Sequence, residues 1–307
     1  MDTIELVEVG PRDGLQNISE FVPTETKVRL IHALVDAGFK RMEIGSFVSP
    51  KAIPQMRDMD AVVAALGPLP GVRAMALVPN SKGARRAFAA GVSDLEMVIS
   101  MTDGHNSSNV GRPTAASIAD LAYLLQEVDP DCKLTLRIGL ATSFHCPFEG
   151  LTPERVVLGN IEKILAIRPG LEFALSDTTG MAIPAKVRSL ARQALAQFGD
   201  DGSFIFHGHD TSGFGVANIL AAMEAGIRSF DTSVAGLGGC PYAPGASGNI
   251  PTEDVVYLFD RMGIATGIDL EKLMRASDIA AALPGALAAS HVRAMPRETA
   301  LVLARAA

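Results

Sequence analysis

The sequence predicts an α/β protein, a (β/α)8 TIM barrel with additional C-terminal helices. Eight short apolar runs of β-type composition are each followed by a segment that is compatible with a helix. Such repetition implies parallel strands joined by helical crossovers. The chain has 307 residues, a length that α/β barrels commonly reach as a single domain. Eight strand–helix units within this length favour a closed barrel.

The first strand is predicted at 3–10, and helical periodicity follows it, because Val28, Ile31 and Leu34 fall on one face. The other strands are predicted at 41–47, 72–79, 94–100, 133–140, 171–177, 203–209 and 229–236. The alanine-rich tail at 265–307 is predicted to add helices, so we interpret 1–307 as one catalytic domain with a barrel core at about 3–264. An open doubly wound sheet is the alternative, although the turn GPRDGLQN lacks the usual GxGxxG pattern.

The composition narrows the class of protein. Hydrophobic residues make up 48% of the chain and charged residues 20%, which is enough apolar material for a large core. The net charge is −7 without a basic cluster, so nucleic acids and membranes are not expected partners.

Three cysteines argue against a disulfide framework; we expect Cys132 to be inert and Cys146 to be structural or peripheral. Neither a leader-like N-terminus nor an apolar run of about 20 residues is present, so we expect a soluble cytoplasmic protein.

Unusual polar residues follow the predicted strands at their C-terminal ends, where barrel enzymes hold their chemistry. In chain order they are Arg12, Asp13, Glu43, Asp177, His207, His209, Cys240 and Asn249. His207 and His209 are two residues apart on a strand and therefore point to the same side. The alternative is one buried histidine beside one surface histidine. With the oxygens of Asp13 and Asn249, the two imidazoles suit Mg²⁺ or Mn²⁺, while Zn²⁺ and Co²⁺ stay open.

Several of these residues have both a structural and a functional interpretation. Arg12 is either half of an ion pair at the barrel end or a fixed positive charge aimed at a developing oxyanion. Glu43 and Asp177 are expected to be buried partners of Arg12 or of the metal ligands. Arg137, on the fifth strand, is either structural or a partner for a substrate carboxylate. Gln16 is a further candidate for substrate binding.

Four segments, taken together, resemble the hydroxymethylglutaryl-CoA lyase family, which belongs to the metal-dependent TIM-barrel lyases and synthases. They are VEVGPRDGLQN, IGSFVSPKAIPQM, HGHDTSGFGVAN and SVAGLGGCPYAPGASGN. The similarity extends from about residue 3 to about residue 275 with order and spacing kept. Within this family, the loop GGCPYAPGASGN is the segment that separates lyases from synthases.

The resemblance implies a role for each candidate residue. Four side chains would hold the divalent cation: Asp13, His207, His209 and Asn249. Arg12 would stabilise an enolate oxygen, and Glu43 and Asp177 would support the metal ligands. Cys240 would be a catalytic thiol on a mobile loop that closes over the thioester and donates a proton to the carbanion.

The implied reaction is cleavage of 3-hydroxy-3-methylglutaryl-CoA to acetyl-CoA and acetoacetate, so the expected partner is a small acyl-CoA. The base that takes the hydroxyl proton stays open between His207 and a metal-bound water. The segments SMTDGHNSSNV and DTTGMAIP, with Ser212 and Phe214, depart from the family pattern, so a longer 3-substituted hydroxyglutaryl-CoA is also considered. A condensing synthase and a non-catalytic metal-binding barrel are the alternatives. A homodimer is one expected assembly.

Overall fold

The structure is a computed structural model, and it describes residues 4–129, 131, 133–239 and 248–304. Within these residues there are ten strands: β1 (Glu5–Glu8), β2 (Arg41–Ser46), β3 (Arg73–Val78), β4 (Asp94–Ser100), β5 (Thr135–Ala141), β6 (His145–Cys146), β7 (Gly150–Leu151), β8 (Leu171–Asp177), β9 (Gly202–Gly208) and β10 (Ser229–Thr232). Eight of them form a closed barrel in the order β1-β10-β9-β8-β5-β4-β3-β2. The pairings of β1 with β10 and β2, and those along β4-β5-β8-β9, are parallel. The predicted (β/α)8 fold is therefore confirmed.

Helices follow the barrel strands as the sequence predicts. The described residues contain twelve α-helices: α1 (Thr24–Ala37), α2 (Met59–Leu66), α3 (Ser81–Ala89), α4 (Asp103–Val110), α5 (Thr114–Glu127), α6 (Glu154–Leu165), α7 (Pro184–Phe198), α8 (Gly215–Ala225), α9 (Thr252–Arg261), α10 (Leu270–Ala281), α11 (His291–Ala294) and α12 (Arg297–Ala304). The last three are the additional C-terminal helices expected from the alanine-rich tail. None of the described helices has both the length and the apolar character that a membrane span requires.

The first and last barrel strands, predicted at 3–10 and 229–236, are only half as long in the structure. β1 ends at Glu8 and is followed by a π-helical turn at Gly10–Gly14. β10 ends at Thr232 and is followed by a 3₁₀ turn at Val234–Gly236. One buried carboxylate accounts for both strand ends, because the backbone N–H groups of Gly10 and Val234 both donate to Glu8, at 2.7 and 2.8 Å. Those groups are then not available to a strand ladder.

The short hairpin of β6 and β7 is antiparallel and was not predicted from the sequence. Cys146 lies in this hairpin and is fully buried. Its Sγ accepts a hydrogen bond from the Thr102 hydroxyl at 3.1 Å. These contacts agree with the structural interpretation of Cys146, whereas Cys132 lies outside the described residues.

The chain divides into two compact units, Met1–Met75 with Arg228–Ala307, and Ala76–Ile227. In the first unit, α1 packs against α10, and β1 lies between β10 and β2. Its largest buried side chains include Phe39, Phe47, Phe230 and Phe259. In the second unit, β4, β5, β8 and β9 are consecutive neighbours. Each fully buried aromatic ring stabilises its unit by roughly 2–3 kcal/mol relative to an exposed ring.

Candidate metal centre

The turn that carries Arg12 and Asp13 leaves β1 directly. The backbone N–H groups of Arg12, Asp13 and Gly14 all donate to the Val9 carbonyl, at 3.1, 2.8 and 3.3 Å. Gly10 begins this turn, and a Cβ there would lie 2.5 Å from the Glu8 carboxylate oxygen. Only glycine fits such a close approach, and so the turn presents Arg12 and Asp13 in a fixed orientation.

Arg12 is held between two carboxylates in the first unit. Its guanidinium donates to Glu43 through Nε at 2.7 Å and pairs through Nη1 with Asp13. Arg12 is 7% exposed and Glu43 is fully buried. The ion-pair interpretation of Arg12 is therefore correct in geometric terms, and Glu43 is one of its buried partners. A buried guanidinium fixed in this way is also a preorganised donor for a developing negative charge.

Asn249 is joined to this cluster through its side-chain amide. Its Nδ2 donates to Asp13 Oδ2 at 2.9 Å and to the Leu237 carbonyl at 3.1 Å, which fixes the orientation of the amide. The other amide atom, Oδ1, is buried and has no hydrogen-bond partner among the described residues. A buried acceptor left unsatisfied costs about 1–3 kcal/mol. A hard divalent cation beside Asp13 would coordinate the Asn249 Oδ1, so these residues fit such a metal ion.

Gly238 and Gly248 lie in close contact beside Asn249. A Cβ on Gly248 would lie 2.4 Å from the Gly238 backbone, and one on Gly238 would lie 2.6 Å from Asn249 Nδ2. Gly238 also has φ +130, which side chains rarely adopt. Asn17 Nδ2 donates a hydrogen bond of 2.9 Å to the Gly239 carbonyl. Cys240, the predicted catalytic thiol, lies outside the described residues.

The two histidines lie in the second unit. Their ring centroids are 5.4 Å apart, so the side chains of His207 and His209 share one side as predicted. β9 ends at Gly208, so His209 follows the strand and does not end it. His207 is half-buried and His209 is 7% exposed. Each ring could give one nitrogen to a metal ion.

Asp177 ends β8 beside the histidines and is fully buried. Its carboxylate oxygens accept hydrogen bonds from the backbone N–H groups of Met181 at 3.1 Å and Ala182 at 3.0 Å. Burial raises the pKa of Asp177, while the Ala182 N–H and the nearby His209 act in the opposite direction. Asp177 therefore holds the loop after β8, and its own carbonyl accepts from the His209 N–H at 3.3 Å.

The two candidate substrate contacts differ in accessibility. Arg137 is fully buried in β5 and pairs with Glu96 of β4, with a 2.9 Å bond from Nε to Oε2. This burial and pairing favour its structural interpretation. Gln16 is partly exposed directly after the turn that holds Arg12 and Asp13, so it remains accessible to a substrate.

Two fully buried carboxyl groups, Glu8 and Glu253, were missed by the sequence analysis. Burial raises the pKa of Glu8 to about 8 and that of Glu253 to about 7. Glu253 accepts from the Ala235 N–H at 2.8 Å. Ala235 has φ +59, the left-handed conformation that few side chains adopt. The sequence signal for Glu8 was an acidic residue within the apolar run LVEVG. Because a charged residue is rarely buried without partners, a glutamate at this position indicates a buried carboxyl group with hydrogen-bond partners.

Comparison with known proteins gives matches along nearly the whole chain. The HMGL-like family model matches residues 3–280. An (R)-citramalyl-CoA lyase of Chloroflexus aurantiacus is 42% identical over 289 residues, covering 91% of this chain and 90% of the relative. A hydroxymethylglutaryl-CoA lyase of Bacillus subtilis is 39% identical over 283 residues, covering 89% of this chain and 91% of the relative.

A solved structure is also similar to this protein along nearly the whole chain. It is an HMG-CoA lyase from Acinetobacter baumannii in complex with coenzyme A and 3-methylmalate, with a TM-score of 0.90 and 40% identity. The match covers 97% of this chain and 96% of that chain. The resemblance inferred from the sequence motifs is therefore confirmed.

The raised pKa values of Glu8 and Glu253 predict that the free energy of unfolding falls as the pH rises. Their pKa values of about 8 and about 7 exceed 4.5, the ordinary value for a glutamate, so the folded protein holds protons that the unfolded chain releases. Their contribution is complete below about pH 4.5 and is lost as the pH rises through about 7 and about 8. For Glu253 the free energy of unfolding falls by about 1.4 kcal/mol per pH unit between about pH 4.5 and about pH 7.

We expect Glu253→Gln to remove its part of this slope in urea unfolding measured from about pH 5 to about pH 9. The control is Glu224→Gln, because Glu224 forms an exposed ion pair with Arg188 and should leave the slope unchanged. Equal slopes for wild type and Glu253→Gln would contradict the prediction.

Proposed function

Because the chain belongs to the HMGL-like family, we propose that it is a divalent-metal-dependent lyase that cleaves a carbon–carbon bond in an acyl-CoA thioester. The proposed substrate is 3-hydroxy-3-methylglutaryl-CoA or a close 3-hydroxy-3-substituted glutaryl-CoA. The products are acetyl-CoA and acetoacetate, or the corresponding 3-oxo acid. The observation that carries the proposal is the buried Oδ1 of Asn249, held beside Asp13 and Arg12.

A citramalyl thioester is the second candidate substrate. One of the similar lyases is named for it. It contains the same tertiary 3-hydroxyl and the same thioester as the first candidate, but its free carboxylate is one methylene closer to the reacting carbon. The bond that breaks and the acetyl-CoA product are the same. A 2-oxo acid then replaces the 3-oxo acid.

Four residues are the proposed metal ligands: Asp13, His207, His209 and Asn249. Asp13, His207 and His209 can each offer one ligand atom to a common ion. Support also comes from the fold, because residues that follow parallel strands in a (β/α)8 barrel collect at its C-terminal face. When bound, a divalent cation supplies Lewis-acid polarisation of the substrate oxygens. Mg²⁺ or Mn²⁺ suits this mixed set of nitrogen and oxygen donors.

The remaining chemistry is assigned to side chains of this protein. A base accepts the proton of the tertiary hydroxyl as a carbonyl forms at C3 and the C2–C3 bond breaks. His207 is a candidate for this role only in a state in which its ring does not bind the ion, because a coordinated imidazole has no free lone pair. The bonding electrons remain on the acetyl fragment as a thioester enolate, whose oxygen Arg12 stabilises. Cys240 then donates a proton to C2, which gives acetyl-CoA. Glu43 holds Arg12 in position for this role.

A panel of thioesters tests the function. We expect metal-dependent release of acetyl-CoA from 3-hydroxy-3-methylglutaryl-CoA, a longer 3-substituted analogue or citramalyl-CoA, with activity lost in EDTA and restored by Mg²⁺ or Mn²⁺. The rates rank the three substrates. A condensing synthase would instead release free CoA from acetyl-CoA and a 2-oxo acid. That activity, without cleavage of any thioester, would sink the lyase proposal.

The metal proposal is tested without reference to turnover. Asn249→Ala removes the buried Oδ1 and the amide that orients Asp13, so we expect the dissociation constant for Mn²⁺ to rise by at least about tenfold. Isothermal titration calorimetry measures it. The matched control is Asn160→Ala, since Asn160 is also buried but contacts Met101. An unchanged Mn²⁺ affinity in the Asn249 variant would exclude that residue as a ligand.

Cys240 is tested by a substitution that replaces its thiol with a hydroxyl. We expect Cys240→Ser to lower kcat by about 100-fold or more while Mn²⁺ affinity stays at the wild-type value, because the thiol is the proposed proton donor. Cys146→Ala is the control and should retain turnover, since Cys146 is a buried structural residue. Near-normal turnover of the serine variant would remove Cys240 from the mechanism.

A further inference from the structure

Glu8 connects three segments of the first unit through one buried carboxyl group. Its Oε1 accepts from the N–H groups of Gly10 at 2.7 Å and Val234 at 2.8 Å. Its Oε2 accepts from the Thr252 hydroxyl at 2.8 Å. Glu8 is itself fully buried at the end of β1. A single side chain therefore joins the turn after β1 to the turn after β10 and to the start of α9.

Each of these segments leads to a residue of the candidate metal centre. Gly10 begins the turn that carries Arg12 and Asp13. Val234 begins the 3₁₀ turn before Leu237, whose carbonyl holds the Asn249 amide. Thr252 begins α9 after Asn249, and its backbone N–H donates to the Ser233 carbonyl at 3.0 Å.

We propose that Glu8 is a positioning residue that sets the spacing between Asp13 and Asn249, and through it the affinity of the site for a divalent cation. The inference rests on the proposed function, because it takes Asp13 and Asn249 as metal ligands. Glu8 does not touch the substrate or the ion in this role. It acts through the backbone on both sides of the 2.9 Å contact between Asn249 Nδ2 and Asp13 Oδ2.

The length of the side chain is central to this role. The Gly10 Cα leaves no room for a Cβ, which would lie 2.5 Å from Glu8 Oε1 and 2.8 Å from Val234 Cγ1. The Glu8 carboxyl group thus packs tightly between the turn at Gly10 and the turn at Val234. An aspartate would be too short to contact both turns. The Thr252 hydroxyl also lies 3.0 Å from the Thr232 hydroxyl. When Glu8 is protonated or replaced by glutamine, it can donate a hydrogen bond to Thr252, and the Thr252 hydroxyl then donates to Thr232.

Glu253 provides a matched comparison for the same surroundings. It is equally buried and accepts from the Ala235 N–H in the same 3₁₀ turn. Among the described residues, Glu253 makes no hydrogen bond to the turn that carries Arg12 and Asp13. Shortening Glu253 therefore disturbs the packing of one turn, whereas shortening Glu8 disturbs the relation between two.

The experiment compares Glu8→Asp, Glu8→Gln and Glu253→Asp in the full chain, with Mn²⁺ binding measured by calorimetry on protein shown to be folded by circular dichroism. We expect Glu8→Asp to raise the Mn²⁺ dissociation constant by about 10–100-fold, as for other groups that orient metal ligands. Glu8→Gln keeps the reach and both acceptor bonds, so its constant should stay within about threefold of wild type. Glu253→Asp should also stay within about threefold, even at a comparable loss of thermal stability.

Hydrogen exchange adds a local readout. The amides of Gly10 and Val234 should lose protection in Glu8→Asp and retain it in Glu8→Gln. If Glu8→Asp does not fold, Thr252→Val removes one of the three bonds and should give a smaller rise in the Mn²⁺ dissociation constant.

The outcomes separate this inference from the proposed function. Wild-type protein that binds no Mn²⁺ contradicts the proposed metal site itself. Wild-type binding together with equal Mn²⁺ affinity in folded Glu8→Asp overturns only the role of Glu8. Equal losses in Glu8→Asp and Glu253→Asp also overturn it, because they indicate a general effect of destabilisation.

Discussion

The buried ion pair of Arg12 with Asp13 and Glu43 is the interaction on which the candidate site depends. Removing three charges from water costs several kcal/mol per ion and is offset only by close, well-oriented partners. The guanidinium meets that requirement, with 2.7 Å to Glu43 and a direct pair with Asp13. Once Asp13 is fixed, its second oxygen orients the Asn249 amide, and the buried Oδ1 of that amide is left for a cation.

Close backbone packing makes this arrangement possible. Gly10 lies against Glu8, and Gly238 lies against Gly248 at distances that exclude a Cβ. The chain can therefore bring the turn after β1 and the segment after β10 close to the same pair of side chains. In the second unit, Asp177 plays a comparable part, because its carboxylate organises the loop after β8 through two backbone N–H groups. The polar side chains are thus held by backbone contacts as much as by each other.

Much of the fold could be predicted from the sequence, since the alternation of apolar strands and helices depends on local pattern. The eight barrel strands and the helices beyond 265 are present as predicted. The ends of β1 and β10 were predicted too long, because Glu8 takes the backbone N–H groups that would continue the ladder. The hairpin of β6 and β7 was missed, since each of its strands has only two residues and gives no periodicity.

The fold class, the family and the polar residues that follow the barrel strands could be predicted from the amino-acid sequence. These features depend on residue type, order and spacing, which are explicit in the chain. The pairing of those residues, by contrast, is visible only in the tertiary structure. That structure gave Arg12 two carboxylate partners, placed Arg137 beside Glu96 in the core, and made Glu8 the link between two distant turns. The physical reason is that burial and hydrogen-bond partnership depend on contacts between residues far apart in sequence, which no local pattern specifies.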